Sequence, residues 1–183
     1  MDHYERANRF YREKNFTEAY EWYRKGAEEG DIRCECELGI LLFIGLGAEK
    51  NLKLSRQYLE EAHRQQISDV ATYYLACLEK REGNYETYSA LLKAASANGV
   101  EPAMTKLGYE YEKGRLLPKD LDKAWLWYGK AIAAGHIGAR ICKARILIYG
   151  YQGLTGTLRG FTEFLGAVVS LSRKDVEDFY VHF

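Results

Sequence analysis

GVEPAMTKLGYEYEKGRLLPKDLDKAWLWYGKAIAAG, residues Gly99–Gly135, is the unit from which the rest of the chain is built. Its first half spaces small and apolar residues as one face of a helix does, and Gly114 follows where such a helix would end. Its second half repeats that spacing after the loop RLLPKD. We therefore predict two helices whose small residues allow close approach, while aromatic residues fill the space beside them. The two predicted faces carry Ala103, Leu107, Gly108 and Tyr111, then Ala124, Tyr128 and Ala131.

The same pattern recurs along the chain, and a recurring helical hairpin is diagnostic of a repeat protein. The closing positions Gly30, Gln66, Gly99 and Gly135 are 36, 33 and 36 residues apart. The loop inside each copy takes ten residues or seven, which explains the unequal periods. On the first helices the matching residues are Cys34, Leu38 and Gly39, then Val70, Tyr74 and Leu75, then Ala139, Lys143 and Ala144. On the second helices they are Ala19, Tyr23 and Gly26; Ser55, Leu59 and Ala62; Tyr88, Leu92 and Ala95; and Gly160, Phe164 and Ala167.

These copies predict an all-α fold, a right-handed α-solenoid of about five antiparallel helix pairs with a C-terminal capping helix. At 183 residues the chain suits a single domain, residues 1–183. The predicted repeats are about 1–30, 31–66, 67–99, 100–135 and 136–171, and the predicted capping helix is 172–183.

The fifth copy departs most from the pattern. Its glycine-rich segment Gly150–Gly160 is expected to be the interhelix loop, so that the second helix would be GFTEFLGAVVSL. Beyond it, Ser172 and Asp175 form an S-x-x-D signature that precedes a short amphipathic helix. We expect that helix to cover the outer face of the last hairpin. A sixth hairpin or a homodimer contact through this helix are the alternatives.

Charge and hydropathy restrict the partners. Twenty-six basic residues balance twenty-six acidic ones, which argues against a nucleic-acid partner. The longest uncharged runs are too short and too glycine-rich for membrane insertion, and the start MDHYERANRF lacks the apolar core of a signal peptide. The expected compartment is therefore cytoplasmic by default, or periplasmic or secreted if a leader has been removed.

No residue pattern predicts a metal, a cofactor or catalytic residues. Cys34-Glu35-Cys36 has no second ligand pair of the kind that structural zinc requires, and the four histidines are scattered. We expect Cys34, Cys36, Cys77 and Cys142 to act as small apolar residues without disulfides. The segment GYQGLTG lacks the preceding strand and the lysine of a phosphate-binding loop.

The fourth copy resembles the Sel-one-like repeat (SLR), a subfamily of the tetratricopeptide (TPR) superfamily. The residues that carry the resemblance are A-x-x-x-L-G-x-x-Y-x-x-G and A-W-L-W-Y-x-K-A-x-x-x-G. The third copy, with its short loop, is similar to the ordinary tetratricopeptide unit, and Gln66 and Lys143 depart from the family pattern. The resemblance implies a non-enzymatic adaptor that holds a protein, a peptide or a cell-envelope component on a concave surface lined by first helices.

By register with the tetratricopeptide unit, nine residues are expected to line this groove. They are Ile40, Phe43, Glu79, Lys80, Tyr109, Glu112, Lys113, Arg145 and Tyr149. An apolar and aromatic floor with Arg and Lys at one end suits an extended peptide or a partner helix with an acidic end. The simpler alternative is that apolar members such as Phe43 only pack against the next hairpin. A carbohydrate-binding or envelope-assembly role, with Trp125, Tyr109 and Tyr149 stacking on sugars, is the second functional hypothesis, and a helical-array enzyme is the third.

Overall fold

A computed structural model of the protein describes residues 2–170, which form α-helices joined by turns and short loops. The chain divides into two compact units, Met1–Leu91 and Leu92–Phe183. The predicted capping helix 172–183, and with it the predicted dimer contact, lie outside the described residues. None of the helices in residues 2–170 combines the length and the apolar character that crossing a bilayer requires.

The first unit begins with two complete helix pairs. Its helices are α1 (His3–Arg12), α2 (Phe16–Glu28), α3 (Ile32–Ile44), α4 (Leu52–Arg64), α5 (Asp69–Glu82) and the first part of α6 (Tyr85–Ala97). Helix α1 packs on α2 and α3 packs on α4, while the first helices also contact one another, α1 with α3 and α3 with α5. The core between them consists of Ala7, Ala19, Tyr23, Cys34, Leu38, Leu41 and Leu42.

The second unit repeats this arrangement. It contains the rest of α6, then α7 (Glu101–Lys113), α8 (Leu121–Ala133), α9 (Gly138–Ile148) and α10 (Gly153–Ser170). Helix α7 packs on α8, α9 packs on α10, and the first helices α7 and α9 contact each other. A second core joins Met104, Ala124, Tyr128, Ala131, Ala139, Cys142 and Ile146.

The helix ends follow the capping chemistry of the sequence. Asp31 and Asn51 each accept a backbone N–H of the following helix at 3.0 Å, and Asp120 accepts one at 2.8 Å. Gly114 ends α7 in the left-handed conformation. Gln66 replaces the closing glycine yet keeps its positive φ, 56° against 83° for Gly30, which confirms that the two positions correspond.

Close approach at the predicted glycines is confirmed. A Cβ added to Gly108 would lie 2.8 Å from the ring of Tyr128, and one added to Gly39 would lie 3.0 Å from Cγ of Leu59. Nearby, the buried Ser55 hydroxyl donates to the Gly39 carbonyl at 2.7 Å. Glycine in the middle of a helix costs about 0.5–1 kcal/mol relative to alanine, so it persists where another helix needs the space.

The predicted register of the third copy is wrong by one residue. Val70 is 40% exposed, whereas Ala71 and Ala76 are fully buried. The turn from Gln66 to the start of α5 at Asp69 is one residue longer than the turn from Gly99 to Glu101, and Ser68 caps the helix. The small-large-small pattern of this copy is therefore Ala71, Leu75 and Ala76.

The predicted loop of the fifth copy is also wrong. Gly150–Gly160 is not an interhelix loop, because α10 already begins at Gly153. A short turn, in which Gly150 and Gln152 both have positive φ, connects α9 to α10. Gly156 and Gly160 lie buried, and a Cβ added to Gly160 would lie 2.7 Å from Cβ of Leu147. Gly160 therefore allows close packing of α10 on α9, and Gly156 leaves room for the carbonyl of Tyr151 in the preceding turn.

Lys143, at a position expected to be apolar, has a local explanation. Its Nζ lies 4.0 Å from the ring centroid of Trp125, so its stem is half-buried while its charge contacts the face of the indole.

Candidate functional site

Four of the nine predicted groove residues come together on α7 and α9 of the second unit. Tyr109, Glu112 and Lys113 follow one another at helical spacing on α7, so they share one side of that helix. Arg145, on α9, reaches them because the two first helices are in contact. We refer to Tyr109, Glu112, Lys113 and Arg145 as the α7–α9 cluster.

Glu112 is the centre of this cluster. Its side chain is only 7% exposed, yet it accepts hydrogen bonds from three residues. Arg145 donates through Nε at 3.1 Å and Nη2 at 2.7 Å, and the Tyr128 hydroxyl of α8 donates at 2.7 Å. Arg145 Nη2 and Tyr128 share Oε2 of Glu112, while Lys113 Nζ lies 3.0 Å from Oε1. Arg145 and Glu112 thus form a bidentate ion pair, which fixes the orientation of the guanidinium as well as balancing its charge.

The electrostatics follow from these contacts. Burial opposes ionisation of Glu112, but the hydrogen bonds from Arg145, Tyr128 and Lys113 outweigh it and hold the pKa of Glu112 below its usual value. Burial likewise opposes the charge of Arg145, while the bonds to Glu112 raise its pKa. Burial also raises the pKa of Tyr128. Glu112 is therefore an ionised carboxylate that holds two cations, which is the opposite of a poised general acid.

Tyr109 forms the aromatic part of the cluster. Lys113 Nζ lies 5.4 Å and the Arg145 guanidinium carbon 5.9 Å from its ring centroid, within the range of cation–π attraction. Lys106, one turn earlier on α7, lies at 5.6 Å. Arg145 and Lys113 keep 29% and 33% of their side chains exposed, so both cations remain in reach of a ligand.

The predicted residues of the first unit make different contacts. Ile40 lies buried in α3, and Phe43 meets the ring of Tyr74 edge-on at 5.1 Å. Glu79 accepts from Arg56 of α4 at 2.6 Å and from Asn84 at 2.8 Å. Their role in binding stays a prediction, but Ile40 and Phe43 have the packing contacts of the simpler alternative.

Two further predicted residues lie apart from these contacts. Lys80 Nζ lies 5.0 Å from the ring centroid of Tyr88. Tyr149, at the end of α9, is 80% exposed, and within residues 2–170 no ion pair or ring contact joins it to the α7–α9 cluster. The structure thus places Tyr149 on the surface beside the cluster's helix without assigning it a partner.

Sequence reasoning missed two members of this site. The spacing on α8 predicts only a packing role for Tyr128, although a buried tyrosine hydroxyl usually finds a polar partner, which here is Glu112. Lys106 precedes Tyr109 by three residues, a helical spacing that the sequence already showed.

The cysteines behave as packing residues. Cys34, Cys36 and Cys142 are buried, which confirms their interpretation as small apolar side chains, and Cys77 is half-buried. Burial raises the pKa of Cys34 and Cys36 to about 12 and that of Cys142 to about 11. The thiols therefore stay protonated at neutral pH. Across residues 2–170, His, Cys, Asp and Glu form no group of three that could hold a metal ion.

Trp125 is already in contact with three neighbours. Besides Lys143, the guanidinium of Arg159 lies 5.5 Å from its ring, and the ring of Tyr151 lies 5.5 Å away in a tilted orientation. Little of the indole face is left for stacking on a sugar.

Known proteins share this architecture. A crystal structure of a Sel1 repeat protein from Oxalobacter formigenes is similar over 88% of this chain and 67% of that one, with 19% sequence identity and a TM-score of 0.66. A protective antigen present in uropathogenic Escherichia coli strains, which displays an SLR fold, is similar over 90% of this chain, with 23% identity and a TM-score of 0.62. This chain spans 39% of that protein's length. These likenesses show the fold, an α-solenoid of helix pairs, as the sequence predicted.

The sequence of the chain carries the family signature as well. The Sel1 repeat model matches residues 3–31, 32–65 and 101–136, which correspond to the first, second and fourth predicted copies. The third copy, with its short loop and shifted register, lies between the matched segments. Since these matches cover more than half of the residues, the chain belongs to the Sel1 repeat family.

Proposed function

We propose that this protein is a non-enzymatic scaffold that holds a peptide or a partner protein on the first helices α7 and α9. Sel1 repeats in general mediate protein–protein interactions, which supports a protein as the partner of this chain. The observation that carries the proposal is the α7–α9 cluster, where a buried carboxylate fixes a half-exposed arginine beside an aromatic ring. Aromatic and arginine side chains held in place are the usual anchors of protein interfaces.

The chemistry of the cluster supports binding rather than turnover. A general acid or base works best with a pKa near the working pH, whereas Glu112 is held ionised by its neighbours. The balanced charge of the chain favours a protein over a nucleic acid as the partner. We put forward no carbohydrate role, because Trp125 is occupied by Lys143, Arg159 and Tyr151.

Site-specific photocrosslinking tests the proposal. We would replace Tyr109 with p-benzoylphenylalanine, irradiate cells that express the full chain, and identify covalent adducts by mass spectrometry. We expect one or a few protein adducts, which should be depleted when Arg145→Ala is added. The matched control is the same replacement at Tyr85, an exposed tyrosine of the first unit.

Two results would contradict the proposal. One is the absence of any adduct at position 109. The other is a set of adducts that is identical at positions 85 and 109 and insensitive to Arg145→Ala.

A further inference from the structure

The α7–α9 cluster carries more positive than negative charge. Lys113 and Arg145 share the single carboxylate of Glu112, at 3.0 Å and 2.7 Å. One positive charge is therefore left uncompensated within this group of three. Because both cations are partly exposed, the excess can attract an anionic group from solution.

Arg145 is also held in a defined orientation. Its pair with Glu112 uses Nε and Nη2, and leaves the two hydrogens of Nη1 outside that pair. Tyr128 donates to the same carboxylate oxygen as Nη2, so it fixes Glu112 in turn. A guanidinium that is already oriented loses less side-chain entropy when it binds a second anion.

The first unit offers an internal contrast. There Arg56 meets three carboxylates, Glu79 at 2.6 Å, Glu82 at 2.8 Å and Glu60 at 3.1 Å. That group has the same chemistry, an arginine paired with a poorly exposed glutamate, but the opposite balance of charge. An acidic segment is attracted to the second group and repelled by the first.

We propose that the α7–α9 cluster binds a carboxylate of an acidic peptide segment, with Arg145 and Lys113 as the binding residues and Glu112 and Tyr128 as positioning residues. This inference rests on the proposed function and names the chemistry of the partner. Tyr109 provides an apolar ring surface beside the two cations, against which the methylene groups of an acidic side chain can pack.

The experiment measures binding of a fluorescein-labelled decaglutamate peptide to the full chain by fluorescence anisotropy, with decaglutamine as the uncharged probe. We expect decaglutamate to bind and to weaken with added salt, and decaglutamine to show no binding. Arg145→Gln should weaken decaglutamate about tenfold, since it removes a charge-assisted hydrogen bond. Arg145→Lys keeps the positive charge but loses the planar guanidinium that can bind a carboxylate with two N–H groups. It should therefore weaken decaglutamate binding several-fold. Circular dichroism checks that each variant is folded.

The matched control is Arg56→Gln, which removes a cation from the first unit. It should leave decaglutamate affinity unchanged. Equal loss in Arg56→Gln and Arg145→Gln would overturn the inference, because binding would then follow net charge alone. Unchanged affinity in Arg145→Gln would overturn it as well.

The positioning role has its own readout. Glu112→Gln adds one positive charge to the cluster, so charge alone predicts tighter binding of decaglutamate. If Glu112 orients Arg145, the affinity instead falls. Tyr128→Phe leaves the charge unchanged and removes only the hydroxyl that holds Glu112, and we expect a two- to threefold loss. Tighter binding in Glu112→Gln, together with no change in Tyr128→Phe, would refute the positioning role.

Failure of this inference is distinguishable from failure of the scaffold proposal. Crosslinked partners at position 109 without any decaglutamate binding would leave the scaffold in place and overturn the acidic chemistry of its partner.

Discussion

The two units place different polar groups beside the same tyrosine of the repeat. Tyr23 and Tyr128 occupy equivalent positions of their second helices, and both are buried. In the first unit the hydroxyl of Tyr23 donates to the neutral amide of Asn8 on α1 at 2.8 Å. In the second unit the hydroxyl of Tyr128 donates to the carboxylate of Glu112 on α7 at 2.7 Å.

This difference separates what the repeat fixes from what it leaves open. The small residues and the tyrosine are set by helix packing, because any change of volume there disturbs two helices. The residue beside the tyrosine only has to accept a hydrogen bond from its hydroxyl, so it can be a neutral amide in one copy and a carboxylate in another. The packing geometry of the hairpin is therefore shared between these copies, whereas the polar partner of the tyrosine differs.

The largest expected effect distinguishes Glu112 of the second unit from Glu79 of the first, both of which are buried. Glu112→Gln should lower the free energy of unfolding by about 2–3 kcal/mol, because Arg145 and Lys113 lose their shared carboxylate. Glu79→Gln should cost only about 1 kcal/mol, because Arg56 keeps Glu60 and Glu82.

Urea unfolding measures these costs, with tryptophan fluorescence as the signal. Trp22 reports on the first unit, and Trp125 and Trp127 report on the second, once the others are replaced by Phe. Equal costs for the two substitutions would mean that the α7–α9 cluster contributes no more to stability than its counterpart.

The next effect compares two glycines at the same repeat position. Gly108→Ala should destabilise by about 2 kcal/mol, because the new methyl group meets the rigid Tyr128 ring at 2.8 Å. At Gly39 the nearest atoms are Cγ of Leu59 at 3.0 Å and Cβ of Tyr58 at 3.2 Å, so a smaller shift makes room for the methyl group, and alanine also favours the helix by about 1 kcal/mol. Gly39→Ala should therefore lie within about 1 kcal/mol of the wild type. Thermal unfolding of the two variants tests this, and the reverse order would show that the second unit relaxes more easily.

A smaller effect appears in acid. Because the folded pKa of Glu112 is below its unfolded value of 4.5, its contribution is complete above pH 4.5 and is lost as the pH falls through the folded pKa. The difference in melting temperature between wild type and Glu112→Gln should thus shrink below pH 4.5. A difference that stays constant from pH 7 to pH 3 would show that Glu112 acts through shape alone.

The smallest effect concerns Glu37 on α3, whose carboxylate has no hydrogen bond or ion pair within the part of the chain that the structure describes. Burial raises the pKa of Glu37, so folding favours its protonated form. Its charge therefore destabilises the protein at pH 7, and this penalty disappears as the pH falls toward 4.5. Glu37→Gln should stabilise the first unit by roughly 0.5 kcal/mol at pH 7 and by nothing near pH 4. Calorimetry at the two pH values measures it, and destabilisation at pH 7 would contradict the assignment.

Much of the packing could be predicted from the sequence. Of the fifteen residues predicted on the second helices, Phe164 alone is half-buried and the others are buried. These positions follow the 3.6-residue period and need no long-range information. The predicted register of the third copy was wrong because the turn before α5 is one residue longer. The predicted start of α10 was wrong because glycines can serve helix packing as well as loops.

The site was predictable only in part. Tyr109, Glu112 and Lys113 follow from spacing on one helix, and Arg145 follows from the repeat period. The hydroxyl of Tyr128 was not predictable in the same way. Its contact with Glu112 depends on side-chain direction between two helices, which the repeat pattern does not encode.

The buried tyrosines make the fold sensitive to alkali. Burial holds the pKa values of Tyr23, Tyr73 and Tyr128 well above the ordinary value of 10.0. Such a phenol ionises only when its hairpin opens, so stability falls as the pH rises above 10. The ultraviolet absorbance of phenolate should then rise together with loss of helix, and the tyrosines become an intrinsic indicator of whether the hairpins are closed.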